Sequence, residues 1–341
     1  MKVSASQRMS GPMRWAIMAT VAVLVLSGAT LYAIQSYQRF QERNTGVSAA
    51  SVVENLTGGQ RILFRNTASG TGYGMVGSVT ASDPQGPREL GDTSCDRVDA
   101  AAGIVSCMRI VRGIPTTFET QVLDSSEHVV DSWPLPGVPS RTRVSPDGLI
   151  ATTAFVTGHS YAGDAFSTET TIRSEDGRNY GNLEAFTIFV GRQELTSVDR
   201  NVWGVTFAGG DRFFATVASG GVTWLMEGSL AHRTLTAVQE NAECPSVSPD
   251  GKRVAYKKRR AGAGAVHWDI AVLDLERRKE LVISLKDGFD DQLDWLDNET
   301  LLFGAPRSGA IGDSDVYSIQ AEAGSKPRLF IEHAWSPSVE R

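Results

Sequence analysis

Two segments of this chain, 103 residues apart, have nearly the same sequence. Residues 144–151 read VSPDGLIA, and residues 247–255 read VSPDGKRVA. In a tight turn, Pro pre-sets φ, Asp can hydrogen-bond its own backbone, and Gly tolerates a positive φ. Each segment therefore predicts the end of one strand, a turn and the start of the next strand. A recurring unit of this kind indicates a repeat protein built from short antiparallel strands.

The same outline recurs along most of the chain. Looser copies occur at residues 207–214 and 295–303, residues 98–105 fit the same hairpin, and residues 335–337 begin it once more. The six segments begin at Val98, Val144, Phe207, Val247, Trp295 and Trp335, at spacings of 46, 63, 40, 48 and 40 residues. Each interval has room for about four strands, which is the size of one propeller blade. The 63-residue interval predicts a blade with a long insertion between residues 158 and 201.

The ends of the repeat region are complementary. No strand follows the last repeat, whereas three predicted strands, at residues 61–64, 73–79 and 88–90, precede the first one. A ring that did not close would expose two blade faces and two sheet edges. We therefore expect residues 335–338 to supply the innermost strand of a blade whose other three strands come from the amino end. The predicted fold is all-β: a six-bladed β-propeller of four-stranded blades over residues 58–341, preceded by one N-terminal transmembrane helix.

These repeats resemble those of the TolB family of six-bladed propellers. The resemblance rests on residues 145–148 and 248–251, on Val254-Ala255-Tyr256, on residues 270–274 (IAVLD) and on residues 335–337 (WSP). It covers residues 58–341 and implies an extracytoplasmic protein–protein interaction module of the bacterial cell envelope. The chain differs from the TolB pattern because it begins with an apolar segment and shows no separate amino-terminal domain.

The apolar segment predicts a membrane span. Residues 15–34 contain no charge, and 20 helical residues span about 30 Å, the thickness of a hydrocarbon core. We assign residues 15–35 to a transmembrane helix, with residues 1–14 in the cytoplasm because Lys2, Arg8 and Arg14 precede the span. The alternative is a cleaved signal peptide with its site near residues 27–29, although the apolar run continues past that site. Either interpretation places the remainder outside the cytoplasm.

The charge balance argues against nucleic acid as a partner and against electrostatic binding to an anionic membrane surface. The whole chain has a net charge of −6, which argues against a nucleic-acid binder. Residues 1–43 hold five basic residues and one acidic residue, so the remainder carries a net charge of −10. An acidic exported part should not adhere electrostatically to an anionic membrane surface. Residues 36–57 are polar and are interpreted as a linker.

Two of the three cysteines, Cys95 and Cys107, flank one predicted hairpin. If the turn centres on Ala101, the two residues lie directly opposite each other, within the Cα separation that a disulfide requires. The exported location permits oxidation, so we expect a Cys95–Cys107 disulfide. Cys244 is left over and is interpreted as a small buried residue at a strand start.

Four further patterns bear on chemistry. Residues 158–163 (GHSYAG) only resemble a nucleophile elbow around Ser160, because the fifth position is Ala and no helix is expected to follow. The five histidines show no ligand spacing. The acidic stretch at residues 287–294 fits turn chemistry, with calcium as the alternative. The basic run at residues 257–260 fits a solvated loop tip, with a docking spot as the alternative. The five histidines are His128, His159, His232, His267 and His333.

The sequence therefore predicts no catalytic, metal-binding or cofactor-binding residues, and no cofactor. The functional interpretation is a membrane-anchored, non-enzymatic binding module of the bacterial cell envelope, with an envelope protein or peptide as partner. Binding is expected at the mouth of the central channel or on the loop face that carries the insertion. The alternative is a propeller enzyme, a hydrolase or lyase, with its site in the central channel. A structural scaffold for other envelope proteins is the third hypothesis.

Overall fold

The computed structural model describes residues 11–44, 48–156, 167–262 and 266–341 of the chain. One helix, α1 (Gly11–Asn44), precedes 27 strands within these residues. The strands form six blades, each built on four antiparallel strands, and the innermost strand of each blade contacts the innermost strands of its two neighbours. The six-bladed propeller predicted from the repeat spacing is therefore confirmed.

The blades follow one another around the ring in chain order. Blade 1 begins with β1 (Val52–Val53), β2 (Arg61–Asn66), β3 (Met75–Thr80) and β4 (Arg88–Ser94). Blade 2 comprises β5 (Arg97–Ala101), β6 (Ile104–Val111), β7 (Thr117–Leu123) and β8 (Val129–Pro134). Blade 3 comprises β9 (Val138–Val144), β10 (Leu149–Val156), β11 (Ser167–Ser174) and β12 (Asn179–Asn182). Blade 4 comprises β13 (Thr187–Val190), β14 (Gln193–Glu194), β15 (Asn201–Phe207), β16 (Arg212–Ser219), β17 (Val222–Ser229) and β18 (Thr234–Glu240). Blade 5 comprises β19 (Glu243–Val247), β20 (Arg253–Arg259), β21 (Trp268–Asp274) and β22 (Lys279–Ile283). Blade 6 comprises β23 (Leu293–Trp295), β24 (Thr300–Pro306), β25 (Ser314–Gln320) and β26 (Arg328–Ile331). The last strand, β27 (Ala334–Val339), belongs to blade 1.

The blades are held together by apolar side chains on both of their faces. Successive residues of a strand point to opposite faces, so a central strand contributes to two interfaces at once. In β20, Val254 and Tyr256 pack toward blade 4, whereas Ala255 packs toward blade 6. Six buried clusters, one at each junction between neighbouring blades, form the core of the described part of the ring. This double burial explains why the strands read as short continuous apolar runs.

The repeated turn sequence forms the predicted tight turn. Gly148 N–H donates to the Ser145 carbonyl at 3.1 Å, and Gly251 N–H donates to the Ser248 carbonyl at 2.8 Å. Both glycines have a positive φ, 76° and 69°, a conformation that glycine adopts without steric cost. The Ser145 hydroxyl also accepts a hydrogen bond from Leu149 N–H at 2.9 Å. The sequence of the turn therefore encodes its backbone geometry.

The ring is closed by the two ends of the propeller sequence. Strand β27 is the innermost strand of blade 1 and pairs antiparallel with β2, with Ile62 opposite Val339 and Asn66 opposite Ala334. The other strands of that blade come from the amino end, as predicted. Blade 1 carries a fifth strand, because β1 pairs in parallel with the outer edge of β4.

The long insertion of the 63-residue interval contributes to two blades. Its central part completes blade 3 as β11 and β12. Residues 187–194 then form β13 and β14, which extend the outer edge of blade 4 to give a six-stranded sheet. A turn of 3-10 helix, Leu183–Ala185, connects the two, with Asn182 Oδ1 accepting from Glu184 N–H at 3.0 Å.

The helix is longer than the predicted span of residues 15–35. It extends to Asn44, into the segment interpreted as a linker. The last part of that segment is attached to blade 1, where Ala49 N–H donates to the Ser69 carbonyl at 2.9 Å and Arg88 N–H donates to the Ser51 carbonyl at 3.0 Å. The helix is long and apolar enough to cross a membrane.

The ring has two ends that differ in their connections. We call the turn face the end at which the innermost strands finish, and it includes the turns at residues 145–148 and 248–251. We call the start face the opposite end, at which the innermost strands begin, and it includes the loops at residues 67–74, 112–116 and 307–313.

Candidate functional site

The central channel is lined by charged side chains of the innermost strands. Arg97 and Asp99 lie two residues apart on β5, and Arg141 and Arg143 lie two residues apart on β9. Residues at this spacing point to the same side of a strand. Because the innermost strands surround the axis, these side chains converge there with Asp291 and Asp294, which lie just before and within β23.

Arg143 is the centre of the cluster nearer the turn face, which we call the Arg143 cluster (Asp99, Arg143 and Asp294). Its Nη1 donates to Asp99 Oδ1 at 2.9 Å and lies 3.7 Å from Asp294 Oδ1. Its Nη2 donates to the Leu293 carbonyl. All three residues of the cluster are buried. One guanidinium therefore lies between two carboxylates that belong to different blades.

Backbone hydrogen bonds hold both carboxylates of this cluster in place. Asp99 Oδ2 accepts from Val144 N–H at 2.7 Å, and Asp294 Oδ2 accepts from Val339 N–H at 2.8 Å. Burial raises the pKa of Asp99 above its usual range, although Arg143 opposes the shift. Arg341 approaches Asp294 from the channel mouth, with Nη1 3.5 Å from Oδ1. The positions of these charges are thus set by the blades and not by flexible side chains alone.

The Arg143 cluster forms the floor of a cavity of about 380 Å³ that opens on the turn face. Its volume is near the lower end of the range for small-ligand sites, roughly 300–1,000 Å³. The rim is formed by the repeated turns, including Pro146, Asp147 and Pro249. The cavity therefore combines fixed charges at its base with a rim of rigid turns.

A second cluster lies toward the start face, and we call it the Asp291 cluster (Arg97, Arg141 and Asp291). Asp291 is fully buried, and its Oδ2 accepts from Gly304 N–H at 3.1 Å and from Ser336 N–H at 3.0 Å. Burial raises the pKa of Asp291, against the effect of Arg97 and Arg141. Burial, reinforced by Arg141, lowers the pKa of Arg97 to about 10. The channel axis thus holds opposed charges along its length.

Several buried polar atoms around this second cluster have no hydrogen-bond partner among the described residues. Buried polar atoms are ordinarily satisfied by protein groups, ordered water or a polar ligand. The channel is therefore suited to polar contents and is not sealed by apolar side chains. The atoms are Arg141 Nε, Asp291 Oδ1, Gln292 Nε2 and Ser336 Oγ.

The acidic stretch at residues 287–294 and the basic run at residues 257–260 are less exposed to solvent than the sequence predicted. Asp291 and Asp294 are buried in the channel and are not solvated turn residues. Lys257, expected at a solvated loop tip, is also buried and pairs with Asp290 Oδ1 at 2.5 Å. Arg260 pairs with Asp269 at 2.6 Å. Groups of three or more potential metal ligands do not occur among the described residues.

The predicted disulfide is present, but its predicted geometry was wrong. Cys95 and Cys107 are bonded, with Cα atoms 5.3 Å apart. The hairpin turns at residues 102–103, so Cys107 lies opposite Val98 and not opposite Cys95. Cys95 instead lies in the connection between β4 and β5, so the bond fastens this connection to the second strand of blade 2. Cys244 is buried at the start of β19, as expected.

The remaining candidates are dispersed or lie outside the described residues. Ser160 and His159 belong to residues 157–166, which the structure does not describe. The other histidines lie in different blades: His128 in blade 2, His232 in blade 4, His267 in blade 5 and His333 between blades 6 and 1. His333 Nδ1 lies 2.7 Å from Asp313 Oδ2. The sequence analysis did not predict the charged side chains in the channel. A usable signal was present, because in RTRVSPDG two arginines, separated by one residue, directly precede the repeated turn.

Comparison with known proteins supports the fold. No protein-family model matches the sequence, and no curated protein matches it. TolB from Acinetobacter baumannii is similar in structure, with a TM-score of 0.57 and 14% identity over 83% of this chain and 67% of that chain. A chain of a nidogen/laminin complex has a TM-score of 0.54 and 9% identity over 82% of this chain and 98% of that chain. An oligogalacturonate lyase in complex with manganese matches more weakly, with a TM-score of 0.43 and 10% identity over 74% of this chain and 72% of that chain. At these identities the similarity to TolB is one of propeller fold.

Proposed function

We propose that this chain is a single-pass, membrane-anchored binding module that recognises a protein or peptide at the turn-face mouth of its channel. The observation that carries the proposal is the cavity of about 380 Å³ above the Arg143 cluster. Its floor offers a guanidinium and two carboxylates whose positions are set by backbone hydrogen bonds. Preorganised polar groups of both signs suit the binding of a polar or charged segment.

The location outside the cytoplasm is part of this proposal. The helix Gly11–Asn44 provides a membrane anchor, and Lys2, Arg8 and Arg14 favour a cytoplasmic amino terminus. The Cys95–Cys107 disulfide is compatible with an oxidising compartment. The structural similarity to TolB is consistent with a role in protein interaction in a bacterial cell envelope.

The alternative is an enzyme with its site in the same channel. Buried carboxyl groups with a raised pKa, such as Asp99 and Asp291, are typical of general acids. Both groups, however, accept backbone hydrogen bonds from neighbouring strands, as carboxylates with a structural role do. We therefore favour binding over catalysis.

Site-specific photo-crosslinking in intact native cells tests the binding proposal. A photoreactive residue in place of Pro146 or Pro249, both on the cavity rim, should capture the same partner. The matched control position is Glu322, which is exposed in an outer turn of the same face. We expect several-fold less adduct from position 322.

A pair of charge variants makes the test specific for the cavity. Arg341→Met removes a cation that lines the cavity and pairs with Asp294, so it should reduce the adduct at position 146 several-fold. Arg278→Met removes an exposed cation in an outer turn and should leave the adduct unchanged. Equal adducts from positions 146, 249 and 322, or no effect of Arg341→Met, would contradict binding at the channel mouth.

A further inference from the structure

We propose that the start face of the propeller lies against the membrane, with apolar loop tips inserted into the interfacial region of the lipid. This inference rests on the proposed membrane anchor. It assigns an interaction surface to the end of the ring opposite the cavity. A lipid surface is the partner to which we commit.

The first observation is the unequal distribution of exposed apolar side chains. Among the described residues, four protrude from connections of the start face: Ile114 is 105% exposed, Val198 91%, Ile311 84% and Val266 60%. Val138, Phe155 and Val222, at strand ends on the same face, are also exposed. In the turns of the turn face, all of which lie within the described residues, no large apolar side chain is exposed. The other large apolar residues that are exposed in the described part of the propeller lie on outermost strands: Val52, Val129, Val130, Val282 and Leu329.

The second observation is the arrangement of the four tips around the ring. Ile114 comes from blade 2, Val266 from blade 5 and Ile311 from blade 6. Val198 belongs to the connection before β15 and is placed on this face by the bonds of Asp199 to Ser219 and Gly220. Tips from four blades on one end of a ring match an extended, deformable partner better than a single compact one. A bilayer interface is such a partner, and aliphatic side chains are stabilised at its boundary with the acyl chains.

The third observation is the point at which the anchor joins the propeller. Ala49 donates its N–H to the carbonyl of Ser69, which lies in a start-face loop. Asn44, the last residue of the helix, is five peptide units from Ala49, so the two are at most about 18 Å apart. The helical residues beyond position 35 add about 14 Å. Ala49, which contacts the start-face loop, is therefore held within about 32 Å of the hydrocarbon edge.

This tether keeps the start face at a high effective concentration near lipid, so modest affinity is sufficient for contact. The innermost strands run from the start face to the turn face. The cavity therefore opens away from the membrane, toward a partner that approaches from the opposite side. The inferred orientation and the proposed binding site are compatible.

The charges near the tips indicate that the contact is apolar and not ionic. Arg260, in the loop that carries Val266, is paired with Asp269 at 2.6 Å. Arg307, in the loop that carries Ile311, is paired with Asp315 at 2.8 Å and with Glu332 at 2.7 Å. Residues 44–341 carry a net charge of −10. We therefore expect the contact to form on zwitterionic lipid and to depend little on salt.

Depth-dependent fluorescence quenching tests this orientation in the full chain. The chain is reconstituted into phosphatidylcholine vesicles that contain brominated phosphatidylcholine, with an environment-sensitive dye on Ile311→Cys. The dye should react selectively, because Cys95 and Cys107 are bonded and Cys244 is buried. The matched control is Glu299→Cys, an exposed turn-face position. We expect several-fold stronger lipid quenching at position 311 than at position 299.

A set of matched variants separates insertion from mere proximity. The changes Ile114→Ser, Val198→Ser and Val266→Ser remove the other three tips and should reduce the quenching at position 311 several-fold. The control changes Val129→Ser, Val130→Ser and Leu329→Ser remove three exposed apolar residues of outermost strands and should leave it unchanged. Equal effects of the two sets would overturn the assignment of the start face.

Flotation of the same vesicles distinguishes failure of the anchor from failure of the orientation. If the chain floats with the vesicles but the dye at position 311 is not quenched, the anchor stands and the inferred orientation is wrong. A dye that is shielded from water but not quenched by lipid also shows that the inferred orientation is wrong, because a second copy or another protein then covers the face. If the chain does not float, the anchor fails and the orientation that rests on it fails too.

Discussion

Asp199 accepts three hydrogen bonds, two of which attach the connection between β14 and β15 to Ser219 and Gly220 of blade 4. Its donors are the Ser197 hydroxyl at 2.5 Å, the Ser219 hydroxyl at 2.6 Å and Gly220 N–H at 2.8 Å. These hydrogen bonds lower the pKa of Asp199 to about 2. At the scale of a single residue, one ionised carboxylate thus holds the segment that carries Val198, a tip of the start face.

The lowered pKa predicts how this contribution changes with pH. Since the ordinary pKa of the group is 3.8 and the folded value is about 2, the stabilisation is present above the ordinary value and is lost as the pH falls toward 2. Asp199→Asn should therefore destabilise the protein modestly at neutral pH, and the difference from the natural chain should shrink between about pH 5 and pH 2. Denaturant unfolding at a series of pH values measures this difference.

Asp131→Asn is the matched control for that series. Asp131 is exposed, and its Oδ1 accepts from the adjacent Ser132 N–H at 2.7 Å, its one donor among the residues that the structure describes. Its replacement should have little effect at any pH. A difference between the natural chain and Asp199→Asn that stays constant down to pH 2 would show that the carboxylate charge is not the cause.

At the scale of elements, the disulfide reinforces a contact that Asp96 already makes by donating its N–H to the Met108 carbonyl and by accepting from Ile110 N–H, both at 2.8 Å. Cys95 follows β4 of blade 1, and Cys107 lies in β6 of blade 2. Both residues belong to the buried cluster between these blades, together with Val98 and Leu123. The bond therefore reinforces the junction beside the blade that closes the ring.

Removing this bond should destabilise the propeller measurably. For a sequence separation of 12 residues, the loop-entropy estimate is about 3 kcal/mol. Cys95→Ala with Cys107→Ala should lower the free energy of unfolding by about this amount, measured by denaturant titration without reductant. Reductant should lower the stability of the natural chain in the same way and leave the double variant unchanged. A further loss in the double variant on reduction would contradict this account.

At the scale of the whole molecule, closure of the ring depends on β27. This strand packs against blade 6 on one side through Ala334 and Val339, and it pairs with β2 in blade 1. Ser338 Oγ accepts from Ala100 N–H at 3.0 Å, which links the same strand to blade 2. One strand near the carboxyl end therefore contacts three blades.

Truncation tests this closure. A chain that ends at His333 lacks β27, leaves Ile62 and Phe64 without their inner neighbour and exposes the inner edge of β2. We expect it to lose most of the roughly 5–15 kcal/mol by which a folded domain is stable, and to be digested rapidly by protease. A chain that ends at Val339 lacks only Glu340 and Arg341 and should keep a cooperative unfolding transition. Cooperative unfolding of the shorter chain would show that the ring does not need this strand.

The architecture was predictable because its determinants are local. The turn residues at 145–148 and 248–251 encode a tight turn wherever they occur. The number of times that this turn pattern recurs along the chain predicted the number of blades. The spacing of the repeats also predicted that β27 would join the amino-terminal strands. The register predicted for the hairpin of β5 and β6 was wrong. The turn includes Ala102, which adopts a positive φ of 52° that the sequence did not indicate.

The candidate site depended on tertiary structure, because its residues are distant in the chain. Asp99, Arg143 and Asp294 come from three blades and meet only after the ring has closed. The same holds for Ile114, Val198, Val266 and Ile311, which share a face only because each blade repeats the same order of strands. By itself, the sequence determined the repeat, the disulfide partners and the apolar helix, since these follow from local composition and spacing. Only the closed ring decided which charges converge on the axis and which end of the propeller exposes apolar tips.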